Sequence, residues 1–211
     1  MTMRWPFDDL MLSASGITLR PVRDVDLAGF VAIFPTDFDL DPAYPPLPGV
    51  PPATDRERRL VQSIWRHRGC WSVDDWAVDF GVWRDDEPLG IQTLEGTDFP
   101  QKRTVDSASW IAKTFRGNGF GIQARELMLA FAFEQLGAEQ AITSALVTNE
   151  ASLGVSRHLG YRDTAVEPHD TGGEVVALQH LAMDRPDWVA QRRTTSTVSG
   201  FDPCRPFFGL G

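Results

Sequence analysis

The 211-residue chain predicts a mixed α/β fold whose central sheet is mostly antiparallel and flanked by helices. Three observations carry that expectation. Three successive segments between Trp76 and Ala112 alternate apolar and polar residues, two other segments repeat apolar residues at helical spacing, and a glycine-rich turn joins the last alternating segment to the longer helix. With 42% hydrophobic and 23% charged residues the chain can bury a core, so disorder is excluded. One domain is expected over residues 1–190, with a C-terminal tail over 191–211.

Ile17 to Arg20 forms a first strand, broken by Pro21, and Asp24 caps a helical segment reaching about Phe34. From Pro35 to Pro52 seven prolines forbid regular structure, which predicts a long surface loop. Thr54, with Glu57 three residues on, reads as the capping box of a helix running to about His67, with Leu60, Val61, Ile64 and Trp65 on its apolar face. Trp76–Trp83 and Leu89–Leu94 then pair as a hairpin across Asp85-Asp86-Glu87, and Thr104–Ala112 adds a third strand. Gly119–Leu136 is a long helix stopped by Gly137, and Ala141–Val147 a buried strand. Asn149 opens a short helix that Gly160 ends, and Glu174–Ala182 is one more strand after a turn at Gly172-Gly173. The tail carries Phe201, Phe207, Phe208 and Leu210, an apolar set that docks on its own domain or on a second copy, as in a homodimer.

Twenty Lys plus Arg against twenty-nine Asp plus Glu give a net charge of -9, which excludes a broad nucleic-acid surface because such binding needs clustered cations to release counterions. Cys70 and Cys204 lie far apart and the four histidines form no metal-spaced pair, so neither a disulfide framework nor a metal site is expected. No window is apolar enough for a membrane span, and Asp8 and Asp9 interrupt any signal-peptide core, so a cytoplasmic protein without membrane attachment is expected.

The chemistry concentrates in Trp110-Ile111-Ala112-Lys113-Thr114-Phe115-Arg116-Gly117-Asn118-Gly119-Phe120-Gly121. Glycines at a strand-to-helix turn let the backbone approach a ligand, and the unpaired N–H groups and positive dipole end of the helix favour a phosphate. Each dipole contribution is only about 0.3–1 kcal/mol, so several donors must converge. A dinucleotide fingerprint from Gly117 and Gly119 needs a small residue where Ile122 stands, and no acidic residue ends the next strand. A Walker A loop needs Gly-Lys-Ser/Thr where Gly121-Ile122-Gln123 stands.

The spacing that remains, Arg-x-x-Gly-x-Gly from Arg116 to Gly121, resembles motif A of the GNAT superfamily of acyl-CoA-dependent N-acyltransferases. Asn149, Ser152 and Leu159-Gly160-Tyr161 resemble that family's downstream Asn-x-x-Ser element. Together with Trp110 and Ile17-Thr18-Leu19-Arg20-Pro21 they look most like its ribosomal-protein N-terminal acetyltransferase branch. The resemblance implies a splayed strand pair, with the pantetheine arm of acetyl-CoA or another acyl-CoA between the strands that end near Ala112 and Val147. It further implies cofactor contacts from Ile111, Ala112, Lys113, Arg116, Gly117, Asn118, Gly119, Phe120, Gly121, Ile122, Asn149 and Ser152, and an oxyanion met by a backbone N–H near Ile111. A neutral amine attacks the thioester directly. The acceptor is then a protein N-terminus, a lysine or a small molecule. Asp106, ten residues before Arg116, is the candidate base. Ser156, standing where relatives carry a tyrosine, is the candidate acid. A succinyl-CoA-dependent transferase and a non-catalytic acyl-CoA-binding module are the alternatives. Arg125 and Arg157 are read as solvated helix-surface arginines, and none of the histidines is nominated.

Overall fold

A computed structural model describes every residue except 1–4, 15, 39, 41, 42, 171–173, 193 and 194. The strands β1 (Met11–Ala14), β2 (Ile17–Pro21), β3 (Asp75–Arg84), β4 (Glu87–Thr97), β5 (Thr104–Ile111), β6 (Gln140–Leu146), β7 (Arg162–Asp170), β8 (Val175–Asp184) and β9 (Thr197–Ser199) form one sheet. Their order is β7-β8-β6-β5-β4-β3-β2-β1-β9, and every neighbouring pair is antiparallel except β5 and β6. The mixed, mostly antiparallel sheet expected from the alternation is therefore present. The turn expected at Gly172-Gly173 lies outside the described residues.

Helices cover both faces. On one side α1 (Leu27–Ile33) and α2 (Pro52–Gly69) pack Phe30, Leu60 and Ile64 against Trp83, Ile91 and Trp110. On the other, α4 (Phe120–Ala130), α5 (Glu150–His158) and α6 (Arg185–Gln191) join the larger core with Phe80, Val82 and Leu94. Period-two alternation sorts β3 between these layers: Val78, Phe80 and Val82 enter the larger core while Trp83, beyond a bulge at Val82/Trp83, enters the smaller.

Several sequence expectations are corrected here. The α2 helix begins at Pro52, with proline in its first turn, so Thr54 caps nothing; Asp55 instead accepts the Leu47 N–H at 3.1 Å and ties the proline loop to the helix. Trp65 is 52% exposed rather than on the buried face. Asp24 accepts from Arg68 and Trp65, whereas Asp26 takes the Arg23 N–H that opens the first helical turn. A four-residue turn of helix, α3 (Phe99–Lys102), fills the β4–β5 connection. Beyond Ala130 the long helix continues to Gln135 in π geometry. Strands β1, β7 and β9 and helix α6 were not expected.

The C-terminal segment returns to the domain it follows. Strand β9 pairs with β1, and Phe201, Cys204 and Phe208 are fully or nearly buried. Burial raises the Cys204 thiol to about 11. Phe208 meets Phe7, Trp71, Trp76 and Phe131 edge-on at ring-centroid separations of 5.4, 5.3, 4.8 and 6.1 Å. The apolar tail is thus spent on its own core. Phe208→Ala is expected to cost about 3–5 kcal/mol in urea unfolding, the range for emptying a buried aromatic site; a cost below about 1 kcal/mol would show that the segment docks without supporting the core.

Candidate active site

Strands β5 and β6 run parallel but pair only at Thr104↔Gln140 and Val105↔Ala141. Beyond those two rungs they part, and Thr143 Oγ1, donating to Ser107 O at 2.9 Å, bridges the base of the opening. The Ala112 N–H is committed to Leu89 O on β4 at 2.8 Å, so strand alternation turns the N–H and C=O of Ile111 toward the gap. Arg116 Nε donates to that Ile111 carbonyl at 3.0 Å.

The loop between β5 and α4 bends at Gly117 (φ +79°) and Gly119 (φ +81°), two left-handed positions that favour glycine. Gly119 caps α4 without a side-chain bond. Among the described residues no partner meets the N–H groups of Phe120, Gly121 and Ile122. Gly121 lies close under Ile111, and an added Cβ would stand 3.7 Å from Ile111 Cγ1. Asn118 fastens the loop, its Nδ2 donating to Phe115 O and Arg116 O at 3.2 and 3.1 Å. Ala112, whose carbonyl accepts from Phe115 N, contributes shape rather than a spare amide.

An internal anion already sits on this loop. Asp37, from the proline loop, accepts both Arg116 Nη groups at 2.9 Å, while Lys113 Nζ donates to Thr36 Oγ1 at 3.1 Å and stands 3.5 Å from Asp37. Hydrogen bonding to Arg116 first, and then the positive charges of Arg116 and Lys113, lower the Asp37 carboxyl to about 2. A depressed carboxyl keeps its partner above the unfolded value and releases it as pH falls through the folded one, so this contact persists until pH approaches about 2.

The downstream motif is a helix cap. Asn149 Oδ1 accepts the Ser152 N–H at 3.1 Å and opens α5. Ser156 is 1% exposed and its hydroxyl donates to Ser152 O at 3.2 Å. While that bond holds, the hydroxyl proton is directed into the helix rather than at a leaving group. Arg157 forks onto Asp163 at 3.0 and 2.7 Å.

Arg125, by contrast, is only 3% exposed, which corrects its reading as a solvated arginine. Its Nε donates to Gln92 Oε1 at 3.3 Å and Nη2 to Ser109 Oγ at 3.0 Å. Its Nη1, the Ser107 hydroxyl and the Tyr161 hydroxyl form one buried polar cluster, and burial raises the Tyr161 hydroxyl above its ordinary range against the lowering pull of Arg125 and Ser107. Asp106 stands just past the last β5–β6 rung, directly across from Glu95 on β4. Burial raises its carboxyl above the ordinary range, against the lowering pull of the Ser107 N–H, Arg125 and His180. A carboxyl so placed can take up a proton more readily than a solvated one.

On the α1/α2 face of the same strands lies a cavity of about 150 Å³. Phe34 and Trp110 wall it, and Asp79, Thr93, Glu95 and His67 bring polar groups to it. His67 Nδ1 stands 2.8 Å from Asp79 Oδ2, and Thr93 Oγ1 donates to Asp79 Oδ1 at 2.7 Å. Sequence reasoning missed this group because its members come from α2, β3 and β4. The one available signal was the alternation that puts Asp79 on the inner face of a strand.

Over residues 17–162 the chain matches the family described as "Acetyltransferase (GNAT) domain". It is 28% identical over 111 residues to "Putative ribosomal N-acetyltransferase YdaF" of Bacillus subtilis, a match covering 53% of this chain and 58% of that protein, so the chain spans little more than half of that relative's length. In fold it is similar to Mycobacterium smegmatis RimJ, solved in complex with CoA-disulfide, at a TM-score of 0.66 and 20% identity over 91% of this chain and 99% of that one. It is also similar to a GNAT-family acetyltransferase from Bacillus anthracis, at a TM-score of 0.64 and 15% identity over 83% and 99%. The family match spans the glycine loop, the parted strands and the Asn149 cap alike, and the chain belongs to the acetyltransferase (GNAT) domain family.

Proposed function

We propose that this protein transfers an acyl group, acetyl in the simplest case, from coenzyme A to a primary amine by direct attack on the thioester, in the cytoplasm. The observation that carries the reading is the parting of β5 and β6 beside a helix whose first-turn amides meet no partner among the described residues. The diphosphate belongs on the N–H groups of Phe120, Gly121 and Ile122, with Lys113 and Arg116 supplying charge. The amide-bearing pantetheine arm fits the gap as a strand would, against Ile111 and its neighbours. The Ile111 N–H meets charge developing on the thioester oxygen, and Asp106 takes the amine proton directly or through a water. The name of the Bacillus subtilis relative favours a ribosomal acceptor, and the acidic balance of the chain suits a cationic one.

The second reading, a module that binds acyl-CoA without turnover, is favoured by the Ser156 hydroxyl being committed to Ser152 O. The two part on one measurement, release of free thiol in the presence of amines.

Calorimetric titration of acetyl-CoA and succinyl-CoA is expected to give saturable binding, and Gly119→Glu to abolish it by placing a carboxylate and a strained left-handed residue at the cradle. Unchanged binding in that variant would remove the site. Asp106→Asn should retain binding and lose roughly a hundred- to ten-thousand-fold in kcat; unchanged turnover would clear Asp106 of the base role. Because Asp37 competes with the diphosphate for Arg116, Asp37→Ala is expected to tighten acyl-CoA binding severalfold at low salt, a gain that shrinks as salt screens both contacts. Equal affinities of wild type and Asp37→Ala at low salt would show that Asp37 and the ligand do not compete.

A further inference from the structure

We infer that Arg125 is a positioning residue for the proposed acyl transfer: its buried guanidinium is the fixed counter-charge that holds Asp106 in the carboxylate form a base requires. The inference rests on the acyl-transfer reading with Asp106 as base, and it adds what keeps that base ionised inside the fold.

A buried charge with neutral partners is the first observation. Among the described residues Arg125 is the one buried cation, at 3% exposed. The buried carboxylates Asp26, Asp55 and Asp79 pair with Arg20, Arg58 and His67. Arg125 donates instead to the neutral Gln92 Oε1 and Ser109 Oγ, and its Nη1 shares a buried cluster with the hydroxyls of Ser107 and Tyr161. Among the described residues no carboxylate stands within ion-pair distance of it. Taking a guanidinium out of water is costly unless negative charge lies nearby.

The source of that negative charge is the second. Tyr161 does not supply it, because burial first, and the Asp106 charge with it, raise the hydroxyl and keep it neutral. Asp106 precedes Ser107 on β5, and its Oδ1 accepts the Ser107 N–H at 2.6 Å. Strand alternation sends its side chain to the face opposite the guanidinium, so the two charges act on each other across the thickness of one strand. The groups acting on Asp106 are Arg125 from α4 and His180 from β8, with Glu95 opposite on β4 and Tyr161 ahead of β7. The His180 side chain is 38% exposed and lies 3.7 Å from Glu167, so water and its own partner damp its pull. Arg125 keeps its charge at every pH at which an enzyme is assayed.

Helix geometry puts the charge there. Gly121 and Arg125 are about one turn apart on α4 and share a face. Gly121 lies under Ile111, and Arg125 reaches Ser109, the next residue on that side of β5. The helix that starts with the amides proposed for the diphosphate therefore runs its following turn over the strand that carries the base.

The test applies two readouts to wild type, Arg125→Gln, Arg125→Lys and Gln92→Glu, across the range in which carboxylates and imidazoles titrate. One is a carboxyl-carbon NMR titration of Asp106 without ligand, assigned by the signal lost in Asp106→Asn. The other is kcat for thiol release from acetyl-CoA with primary amines. A carboxylate that loses a neighbouring cation holds its proton to higher pH. Arg125→Gln should therefore move the Asp106 titration upward and lower kcat severalfold on the rising limb, a deficit that shrinks as pH rises. Arg125→Lys keeps the charge and should restore the wild-type position. Gln92→Glu leaves the arginine in place but pairs its charge directly, so it should shift Asp106 upward too; it keeps the test decisive if Arg125→Gln does not fold. A purely structural arginine would lower kcat equally at all pH and leave the Asp106 titration unmoved in both neutralising variants, which would overturn the inference. Absence of turnover with every amine would overturn the acyl-transfer reading itself, and a rising limb that persists in Asp106→Asn would overturn Asp106 as base. Neither resembles an unmoved Asp106 titration, which overturns the role of Arg125 alone.

Discussion

Two neighbouring parallel strands that stop pairing after two rungs are the constraint on which the rest of this molecule depends. A sheet interior rarely leaves backbone donors and acceptors unmet, because each such group costs free energy when it is kept from water. Here β5 and β6 pair at Thr104↔Gln140 and Val105↔Ala141 and then diverge, and one side chain, Thr143, supplies a bond across the opening. The outer edge of β5 is consequently a strand edge in the middle of a sheet. An extended ligand with amide groups of its own satisfies such an edge as a strand would. The connection that follows β5 then determines what else that ligand must carry, because Gly117 and Gly119 turn the chain so that α4 starts beside the gap with its first amides directed outward.

Charge organises the entrance. Lys113 and Arg116 are cations on a chain of net charge -9, and each is met by the proline loop through Thr36 or Asp37. The loop that walls the α1/α2-face cavity with Phe38 and Tyr44 is thereby tied to the loop that would hold a diphosphate. A ligand anion that takes Arg116 from Asp37 changes what anchors the cavity wall, which links the two halves of the site through a surface ion pair. Such pairs are individually weak. Their weakness suits a contact that has to yield.

Local chemistry was legible from sequence and tertiary chemistry was not. The glycine turn, the Asn149 cap and the β3–β4–β5 meander each lie within a short window whose spacing constrains the backbone, and each is present. Strand β7 was missed because Arg162–Asp170 is exposed along its whole length and so has no apolar alternation to detect. Strands β1 and β9 are too short to show a period, and they exist as a pair because residues nearly two hundred apart meet. Arg125 looked like any helix-surface arginine until the helix was laid over Gln92 and Ser109. His67 stands in a helical segment with no metal-spaced or catalytic pattern around it. Its carboxylate comes from the next strand, and only the packing of α2 over β3 brings them together.

The meander settles more than strand order, because β5 serves both halves of the site at once. Its backbone edge faces the gap. Its side chains alternate between the α4 face, where Ser109 accepts from Arg125 and Ile111 lies over Gly121, and the opposite face, where Trp110 and Ala108 border the cavity and Asp106 sits across from Glu95. A one-residue slip of β5 against β4 would exchange those two sets, sending Asp106 under α4 and the Arg125 partners into the cavity. Register is therefore a functional quantity in this fold. It is held by the long β3–β4–β5 pairing and by the wedge of Trp110 between Phe30 and Phe34, rather than by the two rungs that join β5 to β6. That division explains how the parted edge can exist without loosening the sheet: the strand is fixed from one side, so the other side is left to bind.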